Sequence, residues 1–230
     1  MSRSNRALMM FAAGFGTRMK HLTTDRPKPL IPVAGRPLVD HALALALDMG
    51  CAPIVANLHY KPDPLRTHLE QQGVKTVTEK PDILETGGGL RNALSHLGTQ
   101  PVFTMNTDAI WSGPNPLKLL DAAWNPDVMD ALLILLPPGQ ALGHTGKGDF
   151  AADTQGQLTR GGKMIYGGVQ IIKTDGLFGI QDTKFSLNLL WDQMLQKGRL
   201  YGLSYPGKWC DVGNPEGITL AENLVAMPDV

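Results

Sequence analysis

The chain has 230 residues, of which 43% are hydrophobic, so it can bury a sizeable core without disulfides or bound metals to stabilise it. Lysine plus arginine and aspartate plus glutamate both total 21, and the resulting net charge of +0 excludes a global field that recruits nucleic acid or an anionic membrane. No apolar run approaches the roughly 18 residues of a membrane span, and the two distant cysteines, Cys51 and Cys210, favour a reducing cytoplasm.

Strands alternate with helices along the chain, which predicts an α/β fold. We expect a single Rossmann-like sheet, mixed but mostly parallel, with helices on both faces. The run 129–136 is apolar except for Asp130, which indicates a central strand. Up to that run the predicted strands are 7–12, 53–57, 74–78 and 101–106, and the predicted helices are 38–49, 64–72, 90–97 and 116–124.

The pattern changes beyond Pro137-Pro138. Residues 143–162 hold many glycines and polar residues, with brief alternation around 149–158, which predicts a small β-hairpin insertion rather than a second domain. Two strands, 165–172 and 200–205, and a helix over 185–196 follow. A last helix begins at Asn214 as its cap, with Pro215 at the first helical position, and runs through Leu224.

The segment 11–19 joins a glycine loop to an arginine directly after the first predicted strand. Gly14 and Gly16 let backbone amides approach a phosphate, and Arg18 can fork around a phosphate pair. Lys28 lies between two prolines that restrict its backbone and adds a point charge. The pattern indicates chemistry on a nucleoside triphosphate.

Two better-known glycine motifs fail on spacing. A dinucleotide fingerprint requires a third glycine that is absent here, which weakens a redox or dinucleotide-binding function. A Walker A loop requires Gly-Lys-Ser/Thr, whereas Gly146-Lys147 is followed by Gly148.

Residues 8–38 resemble the signature of the sugar-1-phosphate nucleotidylyltransferases: Ala-Ala-Gly-x-Gly-Thr-Arg-Met, Leu-Thr, Pro-Lys-Pro-Leu and Gly-x-Pro. The resemblance continues through Asn106-Thr-Asp108 and Trp209-Cys-Asp-Val-Gly213, so it covers nearly the whole chain. Within the family, Leu84-Glu-Thr-Gly-Gly-Gly89, Gly148-Asp-Phe150 and the short length are most similar to the N-acetylmuramate-1-phosphate uridylyltransferases.

The resemblance implies one nucleotidyltransferase domain over 1–230, with 1–110 mainly nucleotide-binding and 111–230 mainly sugar-binding. The expected partners are a nucleoside triphosphate and a sugar 1-phosphate, UTP and N-acetylmuramate 1-phosphate first, and the products are an NDP-sugar and pyrophosphate. No nucleic acid or membrane partner is expected, and the sequence leaves the oligomeric state open.

The resemblance also assigns roles to residues. Arg18, Lys28 and Asp108 match the catalytic positions, and Asp108 and Asp211 match the aspartates that hold Mg²⁺. Taken alone, an aspartate at a strand end is more often a turn residue. Thr107 stands where the family commonly has glycine. The residues that match nucleotide-binding positions are Ala12, Ala13, Gly14, Gly16, Thr17, Glu85, Thr86, Gly87 and Gly88.

The sugar side is less clear because the family's later Glu-Lys-Pro motif is absent. Glu79-Lys80-Pro81 lies before the glycine triplet rather than after it, so Lys80 is expected to be solvated. The candidates for the sugar phosphate are Asn106, Lys147, Asp149, Tyr166 and Gly167. A solvated loop position for Lys147 is equally open.

Three other functions remain open from the sequence. Guanylyl transfer to mannose 1-phosphate and cytidylyl transfer to phosphocholine use a similar signature. A non-catalytic regulatory subunit that binds nucleotide sugars is the third, although such a protein has no need to retain both metal aspartates.

Overall fold

A computed structural model describes residues 5–98 and 100–227. Its strands are β1 (Leu8–Phe11), β2 (Pro32–Val33), β3 (Arg36–Pro37), β4 (Ile54–Leu58), β5 (Lys75–Thr78), β6 (Val102–Asn106), β7 (Ala109–Ser112), β8 (Ala131–Leu136), β9 (Ala141–Leu142), β10 (Phe150–Ala152), β11 (Leu158–Arg160), β12 (Ile165–Ile172), β13 (Leu200–Ser204) and β14 (Lys208–Asp211). Its α-helices are α1 (Leu38–Met49), α2 (Pro62–Glu70), α3 (Glu85–Leu97), α4 (Pro116–Ala123), α5 (Asn188–Gln196) and α6 (Pro215–Ala226).

The main sheet has the strand order β13-β8-β12-β6-β1-β4-β5. Strands β1, β4, β5 and β6 pair in parallel, as do β8 and β13, whereas β12 runs antiparallel to β6 and β8. The predicted mixed, mostly parallel sheet is therefore confirmed. The apolar strand β8 is flanked by β12 and β13, one place in from the edge and not at the centre as expected.

Helices cover both faces of this sheet. Alternate β1 residues face opposite sides: Leu8 and Met10 pack with the apolar residues of α1, α2 and α4, and Met9 packs with those of α3 and α5. This alternation follows from the two-residue period of a strand. None of the helices within residues 5–98 and 100–227 is long and apolar enough to cross a membrane.

A second, three-stranded sheet of order β7-β14-β9 was not predicted as a unit. A third core cluster, which includes Met19, Ile110, Val212 and Leu224, packs this sheet against α6. The predicted cap of α6 is confirmed, since the Asn214 side chain accepts a hydrogen bond from the Gly217 amide at 2.9 Å. The predicted hairpin insertion is also confirmed, as the antiparallel pair β10 and β11.

Candidate active site

The candidate site lies at the carboxyl ends of three neighbouring parallel strands. Phe11 at the end of β1 stands in register with Asn57 on β4 and Asn106 on β6. Ligands of open α/β sheets bind outside this edge. A cavity of about 200 Å³ opens there and is lined by Phe11, Ala13, Gly14, Asn57, Ile83, Glu85, Thr86, Asn106 and Asp108. Another cavity, of about 290 Å³ between α1, β7 and α6, is lined by none of the predicted site residues.

The glycine loop packs directly on the side chain of Lys28. Gly16 is left-handed (φ 64°), and a Cβ atom there would lie 2.8 Å from the Lys28 Cβ and 3.0 Å from the Thr23 Cγ2. Glycine satisfies both the backbone angle and this close approach. The 3₁₀ helix Thr17–Thr23, which carries Arg18, begins directly after this turn. The sequence-predicted phosphate loop and Lys28 are therefore brought together.

Lys28 forms an ion pair with Asp108. Its ammonium Nζ lies 2.7 Å from the Asp108 Oδ2, and only 10% of the lysine side chain is exposed. Buried ammonium groups require such a partner, because burial penalises the charged form. Two of the three residues predicted to be catalytic are therefore in direct contact.

Asp211 joins the same cluster from the small sheet. It ends β14 in register with Ala109, and the Val212 amide donates to the Asp108 carbonyl oxygen at 3.0 Å. Burial raises the pKa of Asp211, and the charge of Asp108 raises this pKa further, whereas the charges of Lys28 and Arg18 lower it. The two predicted metal aspartates therefore lie within electrostatic reach of each other.

Such a pair of carboxylates fits a hard divalent cation. Like charges in a partly buried place repel, and a cation between them removes the repulsion. No group of three or more histidine, cysteine, aspartate or glutamate residues that could hold a metal ion occurs in the described residues. Magnesium needs no such cage, because one or two carboxylates plus substrate phosphates and waters suffice.

Arg18 reaches this cluster through the space left by Gly213. A Cβ atom on Gly213 would lie 2.9 Å from the Asp211 Oδ2 and 3.1 Å from the Arg18 Nη1. The arginine itself is exposed. The absence of a side chain at Gly213 thus leaves room for both the carboxylate and the guanidinium.

We expect Gly213→Ala to lower kcat/KM by about 10- to 100-fold, because the added methyl group displaces Asp211 or Arg18 and small displacements at a reacting centre are costly. The melting temperature should stay near that of the wild type, since the φ of Gly213 is not positive. Steady-state kinetics and thermal denaturation measure both. Gly139→Ala is the matched control, because a Cβ atom there has no neighbour within 4 Å. Near-normal turnover of the Gly213 variant would contradict the expectation.

The prediction that α3 begins after the glycine triplet is wrong. The helix begins at Glu85, and the three glycines lie inside its first turns. Their lack of a side chain serves packing: a Cβ atom would lie 2.4 Å from the Phe185 ring at Gly87 and 2.5 Å from the Thr183 carbonyl oxygen at Gly88. This close tertiary contact outweighs the low helix propensity of glycine.

The predicted nucleotide residues of this helix divide into two groups. Glu85 and Thr86 line the cavity. Gly87 and Gly88 are buried, and both of their amides donate to the Phe185 carbonyl oxygen, at 2.9 and 3.0 Å. These two glycines therefore shape the wall behind the cavity.

Among the sugar-side candidates, Asn106 lines the cavity. It packs against Gly168, whose φ is 81° and where a Cβ atom would lie 2.7 Å from the Asn106 Nδ2. Tyr166 instead stacks edge-on against Trp191 with ring centroids 5.0 Å apart, and burial raises its pKa. Gly167 faces the Trp111 ring.

Lys147 and Asp149 lie on the loop between β9 and β10. Both are exposed, and the Asp149 Oδ2 accepts a hydrogen bond from the Tyr166 amide at 2.8 Å. The start of this loop adjoins Asp211, since a Cβ atom on Gly143 would lie 2.8 Å from the Asp211 carbonyl oxygen. The two residues thus lie on a loop that begins at the site but do not line the cavity.

Thr107, which stands where the family commonly has glycine, bonds to the end of β1. Its side chain is buried, and its Oγ1 donates to the Phe11 carbonyl oxygen at 2.8 Å. The extra bulk relative to glycine is therefore used to hold the end of β6 to β1.

Asn57 and His144 are among the residues of the site that sequence reasoning missed. Asn57 lines the cavity, and its position at the end of a strand that precedes a loop was the available signal. His144 acts on Asp211, whose pKa its charge lowers. A histidine in a glycine-rich loop carried no signal of its own.

Comparisons with known proteins identify the family of the chain. The MobA-like NTP transferase domain matches residues 9–140. N-acetylmuramate alpha-1-phosphate uridylyltransferase of Caulobacter vibrioides is 36% identical, with 98% of this chain and 99% of that protein covered. The protein of the same description from Neisseria meningitidis is 30% identical, with 89% and 92% covered.

The fold itself is shared with solved structures of low sequence identity. A putative glucose-1-phosphate thymidylyltransferase from Bacillus anthracis superposes with a TM-score of 0.79 at 14% identity, covering 98% of this chain and 97% of that one. The family match and the two relatives show that the chain belongs to the family of MobA-like NTP transferase domains and is a nucleotidyltransferase.

Proposed function

We propose that the protein joins a nucleoside triphosphate to a sugar 1-phosphate, giving an NDP-sugar and pyrophosphate. An oxygen of the sugar phosphate attacks the α-phosphorus, and the bond from that phosphorus to the bridging oxygen of the β-phosphate breaks. The observation that carries the proposal is the Lys28–Asp108 ion pair, with Asp211 and Arg18 beside it, next to a cavity at the end of β1.

The nucleophile is already an anion, so the reaction needs little acid–base machinery and depends on alignment and charge stabilisation. Arg18 would hold the departing β- and γ-phosphates through its planar guanidinium. Lys28, fixed by Asp108 and by the glycine loop, would neutralise the α-phosphate and the incoming phosphate. Asp108 and Asp211 would hold Mg²⁺, which supplies charge stabilisation to the phosphates when it is bound.

The two substrates would bind in different parts of the single domain. The cavity wall comes from residues between Phe11 and Asp108, which supports a mainly nucleotide-binding role for 1–110. The loop that carries Lys147 and Asp149 belongs to the mainly sugar-binding part, 111–230. Asn106, between them, would bond a sugar hydroxyl or acetamido group.

The substrates we propose are UTP and N-acetylmuramate 1-phosphate. Two relatives described as N-acetylmuramate alpha-1-phosphate uridylyltransferases, which match nearly full length, support this choice. The exposed Lys147 ammonium suits the carboxylate that N-acetylmuramate carries. Such an activity would serve peptidoglycan recycling in the cytoplasm, and the free, buried Cys51 and Cys210 support a reducing compartment.

The test is a pyrophosphate-release screen of the purified protein with Mg²⁺. It crosses the four nucleoside triphosphates with the 1-phosphates of N-acetylmuramate, glucose, N-acetylglucosamine and mannose, and with phosphocholine. Release with UTP and N-acetylmuramate 1-phosphate is the expected result. Release with GTP and mannose 1-phosphate alone would overturn the substrate choice, and silence in folded, nucleotide-binding protein would favour a regulatory subunit.

A further inference from the structure

The Glu79-Lys80-Pro81 segment has a part in the site that its sequence does not reveal. Lys80 is exposed, as expected for a solvated lysine. Glu79, in contrast, is buried, with only 1% of its surface exposed. A buried glutamate is rare and requires partners, so its contacts are informative.

Three hydrogen bonds connect the glycine segment to the start of α3 through Glu79. The Ala12 amide donates to the Asn57 Oδ1 at 2.9 Å. The Asn57 Nδ2 donates to the Glu79 Oε1 at 2.7 Å, and the Leu84 amide donates to the Glu79 Oε2 at 2.7 Å. Asn57 is 3% exposed, so this chain of bonds is shielded from solvent.

Each group in this series of hydrogen bonds has a fixed role as donor or acceptor, so a single substitution that changes a role breaks the series. Glu79 accepts with both oxygens, and Asn57 accepts from one side and donates to the other. Replacing an acceptor by a donor leaves a buried group unpaired, which is costly. Gly89 of α3 leaves room for the pair, since a Cβ atom there would lie 2.6 Å from the Glu79 Oε1 and 2.8 Å from the Asn57 Nδ2.

The chain of bonds runs between the two walls of the cavity. Ala13 and Gly14 line one side, directly after Ala12, and Glu85 and Thr86 line the other, directly after Leu84. Glu85 has a left-handed backbone (φ 62°), which is strained for a residue with a side chain. The Leu84–Glu79 hydrogen bond fixes the residue before it.

We infer that Asn57 and Glu79 are positioning residues, which hold the phosphate loop and the start of α3 at the spacing that a nucleoside triphosphate requires. The inference rests on the proposed function, because it takes the nucleotide as the ligand of this cavity. A site that is already ordered before the ligand binds loses less entropy on binding. Breaking the Asn57–Glu79 hydrogen bonds should therefore weaken nucleotide binding more than it slows turnover.

A double-mutant cycle tests the inference, with the dissociation constant of Mg²⁺–UTP measured by calorimetry in the absence of sugar phosphate. Glu79→Gln can satisfy only one of its two donors, and Asn57→Asp places two buried carboxyl groups together. We expect each to weaken UTP binding by about tenfold or more. In the double variant the introduced amide donates to the introduced carboxylate and still accepts from Leu84, so binding should recover to within about threefold of wild type.

The kinetic expectation is equally specific. The KM for UTP should rise about tenfold in each single variant, while kcat and the KM for the sugar phosphate change little. If a single variant fails to fold, Gly89→Ala replaces it, because its methyl group presses on the same two side chains, and the same loss is expected.

Asn115→Ala provides the matched control. Asn115 is 9% exposed and bonds Leu45, Asp48 and Leu117, away from the cavity, so its loss should lower the melting temperature without changing UTP affinity. Single variants that lose stability but bind UTP normally, or a double variant that recovers no affinity, would overturn the inference. Wild-type protein that binds no nucleoside triphosphate would overturn the proposed function and this inference with it.

Discussion

Asp108→Asn is expected to lower kcat/KM by at least about 100-fold, the size of effect seen when one stabilising group is removed from a site of this kind. The substitution removes a negative charge that would hold Mg²⁺, and it replaces the carboxylate that lies 2.7 Å from the Lys28 ammonium. Because the amide has the same size, the packing around the end of β6 should persist. Steady-state kinetics with both substrates varied measures the loss.

The fold of the Asp108 variant should remain intact. Repulsion between Asp108 and Asp211 disappears together with the ion pair, so the two effects on stability oppose each other. Asp130→Asn is the matched control: this carboxylate is also ion-paired, with Lys173 and Arg199, but lies before β8, away from the cavity. The control should lose stability and keep its turnover. Near-normal turnover of Asp108→Asn would contradict a catalytic role for Asp108.

Arg18→Ala is expected to have the second large effect, a fall in kcat/KM of about 100-fold. Arg18 would contact the phosphates that leave, so the fall should appear in kcat as well as in the KM for the nucleotide. Arg18→Lys keeps the charge but loses the planar fork, so we expect an intermediate activity. Its exposure means that neither variant should lose much stability.

Arg26→Ala separates a specific role of Arg18 from a general loss of positive charge near the glycine loop. Arg26 is exposed and pairs with the neighbouring Asp25. Its removal changes the net charge by the same amount, and turnover should be unaffected. Equal losses in the Arg18 and Arg26 variants would indicate long-range electrostatics rather than phosphate contact, and raised salt would then abolish the difference from wild type.

The sequence predicted correctly those helices and strands that are determined by residues close to one another in the chain. Helix α1 was predicted with its observed bounds, 38–49, because a clear apolar face follows directly on Pro37. The start of α6 was predicted from the Asn214 cap and from Pro215, whose roles depend only on residues within the first turn of the helix. Strand β12 was likewise predicted over its observed range, 165–172.

The misses have non-local causes. Helix α3 includes its glycine triplet because Phe185 and Thr183, about 100 residues away, pack against it. The place of β8 in the sheet depends on β13, which follows more than 60 residues later. The small sheet forms from strands of two to four residues, too short for periodicity to reveal their pairing.

The residues of the candidate site likewise divide into those that the sequence indicated and those that only the structure reveals. Residue type and resemblance pointed to Arg18, Lys28, Asp108 and Asp211, and the structure brings these four together. Glu79 was not found, because a glutamate in a polar turn is ordinarily solvated and its burial is visible only in three dimensions. The roles of these residues stay predictions until the variants are measured.

The most direct test of the proposed reaction follows the oxygen atoms. UTP is incubated with the protein, Mg²⁺ and N-acetylmuramate 1-phosphate whose phosphate oxygens are oxygen-18, and both products are analysed by mass spectrometry. Attack by the sugar phosphate on the α-phosphorus predicts that all of the label appears in the UDP-sugar, with unlabelled pyrophosphate released in equal amount. Label in the pyrophosphate, or release of inorganic phosphate without a UDP-sugar, would contradict nucleotidyl transfer at this site.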